Sequence, residues 1–536
     1  MNPDSKNFYE VARGLTSWLF TTDHKRIGIL YLICVMTFFV IAALLGITIR
    51  LELFSSNSEA GGSLLGGGEI YNRILTLHGV IMIFLFIIPA IPGVFGNFFL
   101  PIMIGAEDVS FPRINLLSWY CYIIGAALAL FAILSGAIDT GWTFYVPYSA
   151  KTGANLILPL SAAYMLGWSS ILTGINFIVT VHRLRAKEMK MFRMPLFVWA
   201  SYATGWIQVI ATPVVGITLI LLLLERFLGI GIFDPTKGGD PILYQHMFWI
   251  YSHPAVYVMV LPAMGVVSEI IPTFSRKTIF GYSFIAWSTM AIAAIGSLVW
   301  AHHMFTSGMA DESRILFSFL TFFVAVPSAV KIFNWLATMY KGSIHLEPPM
   351  IFGLIFVLLF SIGGFTGLMN GTLSIDIHIH DTAFVVGHFH YTMFGGVGVM
   401  FFGALLYWFP KMFGRNYNKK IIYLCGFLFF VGFNMLYGTM KWLGIQGMPR
   451  RYADYVPEYE FWNRVATVGS WVMVGGLFLM IFHLLYSVFK GSKAEDNPWE
   501  GTTLEWQTTS PPPLVNFNEP PQIPEKPYDY PEEVKS

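Results

Sequence analysis

The amino-acid sequence predicts an all-α membrane protein, a bundle of about twelve transmembrane helices, on three observations. Of its 536 residues, 55% are apolar and only 12% are charged, a composition typical of polytopic membrane proteins and unlike that of soluble ones. Apolar runs of about 20 residues, long enough to cross a bilayer, recur from residue 27 to residue 489. The net charge is only +1, so nothing indicates a nucleic-acid partner.

Each apolar run is interpreted as one span, because a helix needs about 20 apolar residues to cross the hydrocarbon core. The twelve predicted spans are 27–49, 74–100, 114–138, 156–181, 196–224, 243–271, 280–304, 315–340, 351–369, 383–409, 421–440 and 465–489. We expect one domain over residues 1–536, without a separate soluble domain. The segment 491–536 is Pro-rich and polar, which predicts an extended C-terminal tail on the cytoplasmic surface.

The charges of the linkers predict the orientation in the membrane. Lys and Arg are concentrated in the linkers that follow spans four, six and ten. They are Arg183, Arg185, Lys187, Lys190, Arg193, Arg276, Lys277, Lys411, Arg415, Lys419 and Lys420. Cytoplasmic loops carry such an excess of cations, so we expect this face, and both termini with it, to be cytoplasmic.

The stretch from His378 to Tyr391, where a polar loop enters span ten, carries the most informative pattern. His388 and His390 lie two residues apart, so at about 100° per residue they point about 200° apart on one helix. Such a helix can stand between two planar cofactors and bind one on each side, and haem iron is commonly held by an axial His. The alternative is two polar side chains bonded to neighbouring helices.

Four further histidines favour the cofactor interpretation. With the orientation fixed and a rise of about 1.5 Å per residue, His78 lies near the outer end of span two and His253 about 15 Å into span six. His302 and His303 lie at the outer end of span seven. Together with the pair on span ten, six histidines from four helices are expected at a similar depth in the outer half of the membrane. Chance placement would not align them.

The six histidines divide by their chemistry. Three suit axial coordination of haem iron, and three suit copper, for which imidazole is a good ligand. They are, respectively, His78, His388 and His390, and His253, His302 and His303. Three axial ligands for two haems leave one iron with an open position, and a copper facing it makes a pocket for a diatomic molecule. Tyr257, one helical turn from His253 and about 6 Å deeper, could supply an electron and a proton there, or be an ordinary buried tyrosine.

Five segments carry a resemblance to a known family: TLHG (76–79), WIYSHPAVY (249–257), AHHMF (301–305), VGHFH (386–390) and GMPRRY (447–452). They resemble subunit I of the haem–copper terminal oxidases, and the likeness covers nearly the whole chain. It is greatest to bacterial cytochrome c oxidase subunit I of the aa3/caa3 type. The resemblance implies a multi-pass protein of the bacterial inner (plasma) membrane.

The resemblance also implies the roles of the site residues. His78 and His390 would bind the low-spin haem a, and His388 would bind the high-spin haem a3. The three remaining histidines would bind copper B. Tyr257 would be the residue that is cross-linked to His253.

Polar residues on the outer face indicate a further metal site. Asp376, His380 and Asp381 lie in the loop before span ten, and hard oxygen ligands with one imidazole suit Mg²⁺ or Mn²⁺. From the residues alone, a solvated polar loop is the alternative. The resemblance implies an ion held by His380 and Asp381.

Three arginines and a tryptophan are candidates for contacts with the haems. Arg450 and Arg451 lie on the outer face, against the charge rule, and suit haem propionates. Arg50, at the end of span one, resembles the residue that contacts a substituent of the low-spin haem; the alternative is a cation that snorkels to the surface. The resemblance assigns Trp249 to the cofactor pocket.

Lys331 lies inside span eight, about 24 Å from its outer end, where a lysine is costly and indicates a pathway. Ser328 shares its helix face, and Ser268 lies deep in span six. These three residues could lead protons to Tyr257. The resemblance implies that they form the K pathway.

Asp108, flanked by Asn97 and Asn115, lies at the inner mouth between spans two and three. Alone, it would be interpreted as a solvated loop residue. The resemblance implies that the three residues form the entrance of a second proton route, the D pathway.

The D pathway of many relatives ends on a Glu, but this chain has Ala255 at that position. The preceding Tyr251 and Ser252 resemble a subgroup in which a Tyr-Ser pair takes over that position. A hydroxyl can relay a proton through water but cannot readily hold a negative charge. We therefore expect proton pumping to persist through Tyr251 and Ser252.

Together these observations predict the catalytic subunit of a proton-pumping terminal oxidase, which reduces O₂ to water. Electrons would come from cytochrome c through subunit II, with its dinuclear copper A, and the low-spin haem. Subunit III, small subunits and a supercomplex with a quinol-oxidising complex are further expected partners in the lipid bilayer. A quinol oxidase and a nitric oxide reductase-like enzyme are alternatives within the superfamily, although Tyr257 and Lys331 argue against the second. A proton-coupled transporter, which would be colourless, is the alternative of another class.

Overall fold

A computed structural model describes residues 6–11, 13–56, 62–136 and 138–530 of the chain. Over these residues the chain is helical, and its β-type contacts are isolated bridges. Eleven of the described helices are long and apolar enough to cross a membrane, and a shorter apolar helix brings the number to twelve. The predicted all-α membrane bundle is confirmed.

We number these twelve helices in chain order. They are α1 (His24–Glu52), α2 (Gly68–Met103), α3 (Pro112–Leu134), α4 (Ile157–Arg183), α5 (Leu196–Leu228), α6 (Pro241–Ser275), α7 (Tyr282–Gly296), α8 (Asp311–Met339), α9 (Pro348–Gly371), α10 (Ala383–Phe413), α11 (Lys419–Ile445) and α12 (Pro457–Lys490). Each corresponds to one predicted span. The helices α6 and α10, which carry three of the six histidines, are the most deeply buried, and α8 is the most exposed.

The seventh span differs from its prediction. The predicted span 280–304 contains the 15-residue helix α7 and then a separate 3₁₀ turn, Trp300–Met304, which carries His302 and His303. The helix ends because the next backbone N–H groups bond to carbonyls three residues back, which tightens the last turn. The two histidines are therefore positioned by a turn and not by the end of a helix.

Three of the described long helices contain π-helical turns that the sequence analysis did not predict. In α2, the segment Ile81–Ile87 begins three residues after His78. In α10, the segment Met393–Gly398 begins three residues after His390. Such turns are frequent at functional sites, and each of these follows a candidate cofactor ligand by about one helical turn.

The C-terminal strap, residues 491–530, lies across one end of the bundle with little regular structure. Its tryptophans are buried: Trp499 donates to the carbonyl oxygen of Tyr407 at 2.8 Å, and Trp506 donates to the Tyr407 hydroxyl at 3.0 Å. The N-terminal segment lies beside the strap, since the N–H of Phe8 donates to the carbonyl of Pro512 at 3.2 Å. Both ends of the described chain therefore lie on the same face of the bundle.

Candidate metal and cofactor site

One large cavity, of about 1200 Å³, lies inside the bundle, and all six histidines line it. Its volume exceeds the roughly 300–1,000 Å³ of ordinary small-molecule pockets, so it has room for large cofactors. The histidines come from α2, α6, α10 and the turn after α7, which are distant in sequence. The lining histidines are His78, His253, His302, His303, His388 and His390.

His78 and His390 lie near each other in this cavity. The Nδ1 of His78 is 2.8 Å from the carbonyl oxygen of Ala42 on α1, and the Nδ1 of His390 is 2.9 Å from the carbonyl oxygen of Val386. A carbonyl only accepts, so each Nδ1 carries the proton and each Nε2 keeps a free lone pair. A hydrogen bond from the other ring nitrogen is what orients a metal-binding imidazole.

His388, the other histidine of α10, is held in a similar way by a different helix. Its Nδ1 is 3.0 Å from the hydroxyl of Thr366 on α9, which leaves Nε2 for a metal. Glycines make room for the candidate haem ligands: a Cβ at Gly367 would lie 3.2 Å from Cε1 of His388, and one at Gly46 would lie 3.0 Å from Cε1 of His78. Larger residues there would crowd the rings.

His253, His302 and His303 form a compact cluster, with one ligand nitrogen of each within 4.8 Å of the others. The Nδ1 of His253 is 3.1 Å from Nε2 of His303, and the Nδ1 of His302 is 3.0 Å from the Thr321 hydroxyl. Trp249 stacks on His303, with ring centroids 3.8 Å apart and planes at 10°. The Nε2 of His253 is buried without a hydrogen-bond partner. Three imidazoles with a free buried nitrogen are a suitable donor set for copper.

Tyr257 lies beside this cluster, and its ring meets that of His253 edge-on with centroids 4.9 Å apart. The phenol is placed by α7, because a Cβ on Gly296 would overlap the Tyr257 ring. Only glycine at that position lets the two helices approach so closely.

Tyr251, Ser252 and Ala255 also line the large cavity. The hydroxyl oxygen of Ser252 is buried without a hydrogen-bond partner. An unpartnered buried hydroxyl is a site at which ordered water is expected. The structure therefore places the Tyr-Ser pair in the wall of the large cavity, beside Ala255.

The residues of the predicted K route are only partly brought together. The ammonium group of Lys331 donates to the hydroxyl of Thr289 on α7 at 2.6 Å, a partner that the sequence analysis missed. Ser268 accepts instead from the indole N–H of Trp335 at 3.0 Å, and Ser328 lines the large cavity. A threonine in the middle of an apolar helix was the available signal for Thr289.

Asp108, the predicted D-route entrance, lies in the loop between α2 and α3. Burial raises its pKa to about 7, and the nearby carboxylate of Asp23 contributes in the same direction. Asp108 is thus not a freely solvated loop residue. Asn97 and Asn115 are fully buried, and the side-chain oxygen of each has no hydrogen-bond partner in the protein.

Further polar residues that the sequence analysis missed lie beyond the two asparagines. The hydroxyl of Tyr31 on α1 is 3.2 Å from that of Ser118 on α3 and 3.0 Å from that of Ser169 on α4. Ser118 also donates to the carbonyl of Asn115 at 2.7 Å. A row of hydroxyls therefore joins α1, α3 and α4 above the entrance.

The candidate Mg²⁺ or Mn²⁺ ligands lie at the mouth of the large cavity. His380 Nδ1 is 2.8 Å from an oxygen of Asp376, which lies in a short helix, Leu373–Ile379, and not in a loop. Asp381 accepts from Arg450 Nε at 2.7 Å. Although burial tends to raise it, the pKa of Asp381 lies below its usual value because of the Arg450 charge. Both carboxylates thus already have a partner in the protein: Asp376 bonds His380, and Asp381 forms an ion pair with Arg450.

Arg50 is buried, and its guanidinium donates to the carbonyl of Asn463 at 2.8 Å and to the hydroxyl of Thr467 at 3.0 Å on α12. The snorkelling interpretation is wrong, because these contacts hold the charge inside the bundle. The Nε of Arg50 has no partner and the residue lines the large cavity, as do Arg450 and Arg451.

Comparison with known proteins gives concordant findings. The family described as cytochrome c and quinol oxidase polypeptide I matches residues 26–483. A cytochrome c oxidase subunit 1 from Synechocystis sp. is 44% identical over 512 residues, which are 95% of this chain and 92% of the relative. One from Thermostichus vulcanus is 43% identical over 512 residues with the same two shares.

A probable cytochrome c oxidase subunit 1-beta from Nocardia farcinica is 42% identical over 519 residues, which are 94% of this chain and 86% of the relative. Among solved structures, a haem–copper terminal oxidase dimer matches with a TM-score of 0.74 at 21% identity. The match covers 88% of this chain and 85% of that chain. At this identity the match shows a shared fold.

Proposed function

The chain belongs to the cytochrome c and quinol oxidase polypeptide I family, and from that membership we propose that it is the catalytic subunit of a terminal oxidase. It takes electrons from cytochrome c, reduces O₂ to water and moves protons across the membrane. The observation that carries this proposal is the convergence of six histidines, from three helices and a turn, on one large cavity. A transporter has no need of that convergence.

The histidines fit two haems. His78 and His390, each with its Nδ1 proton bonded to a carbonyl, would hold the low-spin haem a. His388 would hold the high-spin haem a3. When bound, the haems and copper B supply the one-electron steps and the position at which O₂ is reduced.

The cluster of His253, His302 and His303 holds copper B. A neutral imidazole is the form that binds a metal. Tyr257, edge-on to His253, would supply a proton and an electron to the O₂ that is reduced beside it. The resemblance to the oxidases adds a covalent link between these two side chains.

Protons reach the cavity by two routes. In the first route, Lys331, which donates to Thr289, transfers protons by way of Ser328 toward Tyr257. Ser268 belongs to the inner part of that route. The second route starts at Asp108, passes Asn97 and Asn115, and reaches the hydroxyls of Tyr251 and Ser252 at the cavity wall. Since those hydroxyls stand in for a carboxylate, they relay protons through water and store no charge. The residues of the two routes are Lys331, Ser328, Ser268, Asp108, Asn97, Asn115, Tyr251 and Ser252.

Residues at the outer mouth of the cavity would contact the haems. Arg450 and Arg451 would pair with haem propionates, Arg50 would contact a substituent of the low-spin haem, and Trp249 stacks on the candidate copper ligand His303. We also propose that His380 and Asp381 hold Mg²⁺ or Mn²⁺ on this side. The ion would have to displace Arg450 from Asp381, or share that carboxylate with it.

The surroundings of the subunit follow from the same family membership. We propose that it lies in a bacterial inner membrane with both termini in the cytoplasm. Its partners are subunit II with a dinuclear copper A, subunit III and small subunits, and a supercomplex with a quinol-oxidising complex is a further association.

The experiment is to purify the complex and measure O₂ consumption with reduced cytochrome c and, separately, with a quinol. Oxidation of cytochrome c with O₂ uptake supports the proposal. Activity with quinol alone would assign the chain to the quinol oxidases. Iron without copper would favour a nitric oxide reductase-like enzyme, and a colourless protein would favour a transporter.

A further inference from the structure

Four buried polar side chains form a stripe along one face of α5. Ser201, Thr204, Gln208 and Thr212 recur at intervals of three or four residues, which is the spacing of one helix face. Each is at most 2% exposed, and each has an oxygen without a hydrogen-bond partner in the protein. Unpartnered polar groups are costly in a membrane interior, so this row requires partners other than protein atoms.

Gln208 points into a second, small cavity of about 30 Å³, which we call the polar cavity. Its polar wall also includes Tyr31, Ser169, Ser170 and Thr173, and most of the remaining wall consists of apolar residues of α2 and α4. A water needs about 10–15 Å³ of such space and two to four polar partners, so the polar cavity accommodates about two waters. The Thr173 hydroxyl donates to the carbonyl of Ser169 at 2.9 Å, so its oxygen can accept a hydrogen bond from such a water.

The position of the Gln208 amide is set by close helix packing. On the facing helix α4, a Cβ at Gly174 would lie 3.0 Å from Cβ and 3.2 Å from Oε1 of Gln208. Gly205 of α5 lies against the same backbone, where its Cβ would come 3.0 Å from the carbonyl oxygen of Gly174. Small residues on both helices therefore make a slot for one long amide side chain.

The polar cavity lies between the row of hydroxyls above Asp108 and the large cavity. Tyr31, which bonds Ser118 and Ser169, forms part of its wall. Phe84 and Ile88 line both the polar cavity and the large cavity. A single layer of side chains therefore separates the two cavities.

The level of Gln208 along the bundle agrees with this placement. Helices α5 and α6 follow each other across one short loop, and Phe197 and Ala200 lie against Gly265. Gln208 is about 12–16 Å further along α5 than these two contacts, at 1.5 Å per residue. The antiparallel α6 is at the same level about eight to eleven residues before Gly265, at residues 254–257, about one helical turn beyond Ser252.

We propose that Gln208 binds the waters of the polar cavity and that these waters carry protons from the hydroxyl row to the Tyr-Ser pair of the large cavity. The inference rests on the proposed function. The amide oxygen accepts from one water and the amide N–H donates to another, and neither group ionises. Each transfer breaks an O–H bond in one water and forms one in the next, so no charge remains on Gln208. Water bound at Gln208 would thus carry the proton at the level where this chain has Ala255 and many relatives have a Glu.

The test is Gln208→Met in the intact complex, since Met matches Gln in length but cannot hold water. With unchanged haem spectra, we expect O₂ turnover to fall about tenfold, the equivalent of one hydrogen bond, and Asp108→Asn to lower it as well. Thr218→Val is the matched control. Thr218 is also buried on α5, but its hydroxyl donates to the carbonyl of Val214 at 2.8 Å. Turnover of Thr218→Val should therefore stay at the wild-type level.

Wild-type turnover and proton release in Gln208→Met, with Asp108→Asn still slow, would overturn the inference and leave the oxidase function standing. Gln208→Glu, which keeps the shape and can still bind water, should retain most of the turnover, and an equal loss in this variant would also overturn the inference, because water binding at this position would then not be what turnover depends on. A wild-type complex without O₂ consumption would instead sink the proposed function. If Gln208→Met does not assemble, a high-resolution cryo-EM map of the wild-type protein decides: water density at Gln208 Oε1 supports the site, and its absence contradicts it.

Discussion

The histidines of the candidate metal and cofactor site differ in the group to which their Nδ1 atom is hydrogen-bonded. His78 and His390 face backbone carbonyls, whereas His388 and His302 face hydroxyls of threonine on other helices. A backbone carbonyl cannot be removed by substitution, but a threonine hydroxyl can. The hydroxyl-bonded histidines are therefore those whose orientation can be tested without touching a ligand.

We expect Thr321→Val to weaken copper binding by about 10–100-fold, the usual effect of losing such an orienting bond. The His302 ring would lose its 3.0 Å partner while the ligand itself stays. Copper content after dialysis against a chelator measures the effect. Thr48→Val, which removes a hydroxyl bonded only to its own helix, serves as the control, and equal copper retention in both variants would contradict the assignment.

Asp108 should give the enzyme a pH dependence near neutrality. Burial first, and the Asp23 carboxylate second, raise its pKa from 3.8 to about 7. The folded chain therefore binds this proton more tightly than the unfolded one, and ionisation of Asp108 costs stability as the pH rises through this range. Asp108→Asn should flatten the pH profile of O₂ turnover around neutral pH and remove that part of the loss of thermal stability. Unchanged profiles would contradict the role of Asp108.

At the scale of elements, apolar length was sufficient to predict the twelve helices, and the placement of the histidines on them predicted their convergence on one cavity. Contacts between helices were not predictable in the same way. The rotation of each helix and its neighbours depend on side chains of distant segments, so the sequence did not indicate that Lys331 meets Thr289 or that Gln208 faces α4. The break after α7 was missed because residues 297–304 continue an apolar run.

Helix α7 ends at Gly296, the residue at which it packs closely against the ring of Tyr257. We expect Gly296→Ala to destabilise the protein by about 1–3 kcal/mol, as overpacking does, and to lower turnover, because the new Cβ would overlap the Tyr257 ring. Thermal unfolding and O₂ uptake measure the two effects. Gly475→Ala in α12, where the new Cβ has no neighbour within 4 Å, should be neutral; equal effects at both positions would argue against the proposed packing.

At the scale of the whole molecule, the strap closes one face of the bundle with buried aromatic side chains. Trp506 is 3% exposed and donates to the Tyr407 hydroxyl. The ammonium nitrogen of Lys411 lies over its ring, 5.4 Å from the ring centroid. The strap also reaches the Asp108 loop, where Asn516 donates to the carbonyl of Ala106 at 2.8 Å. The strap therefore contacts the loop that carries Asp108 as well as covering the core.

We expect Trp506→Ala to destabilise the protein by about 3–5 kcal/mol, the usual cost of removing a buried tryptophan. Thermal unfolding in detergent measures the effect. Glu519→Ala, an exposed position of the same strap, should leave the stability unchanged. Equal thermal stability of the two variants would contradict the proposal that Trp506 anchors the strap to the bundle.

The most direct measurement is a cryo-EM map of the purified complex that resolves cofactors. We expect one planar macrocycle between His78 and His390, a second at His388, and a single metal ion shared by His253, His302 and His303. A map in which His388 and His390 face lipid or each other, with no macrocycle between the helices, would contradict the account.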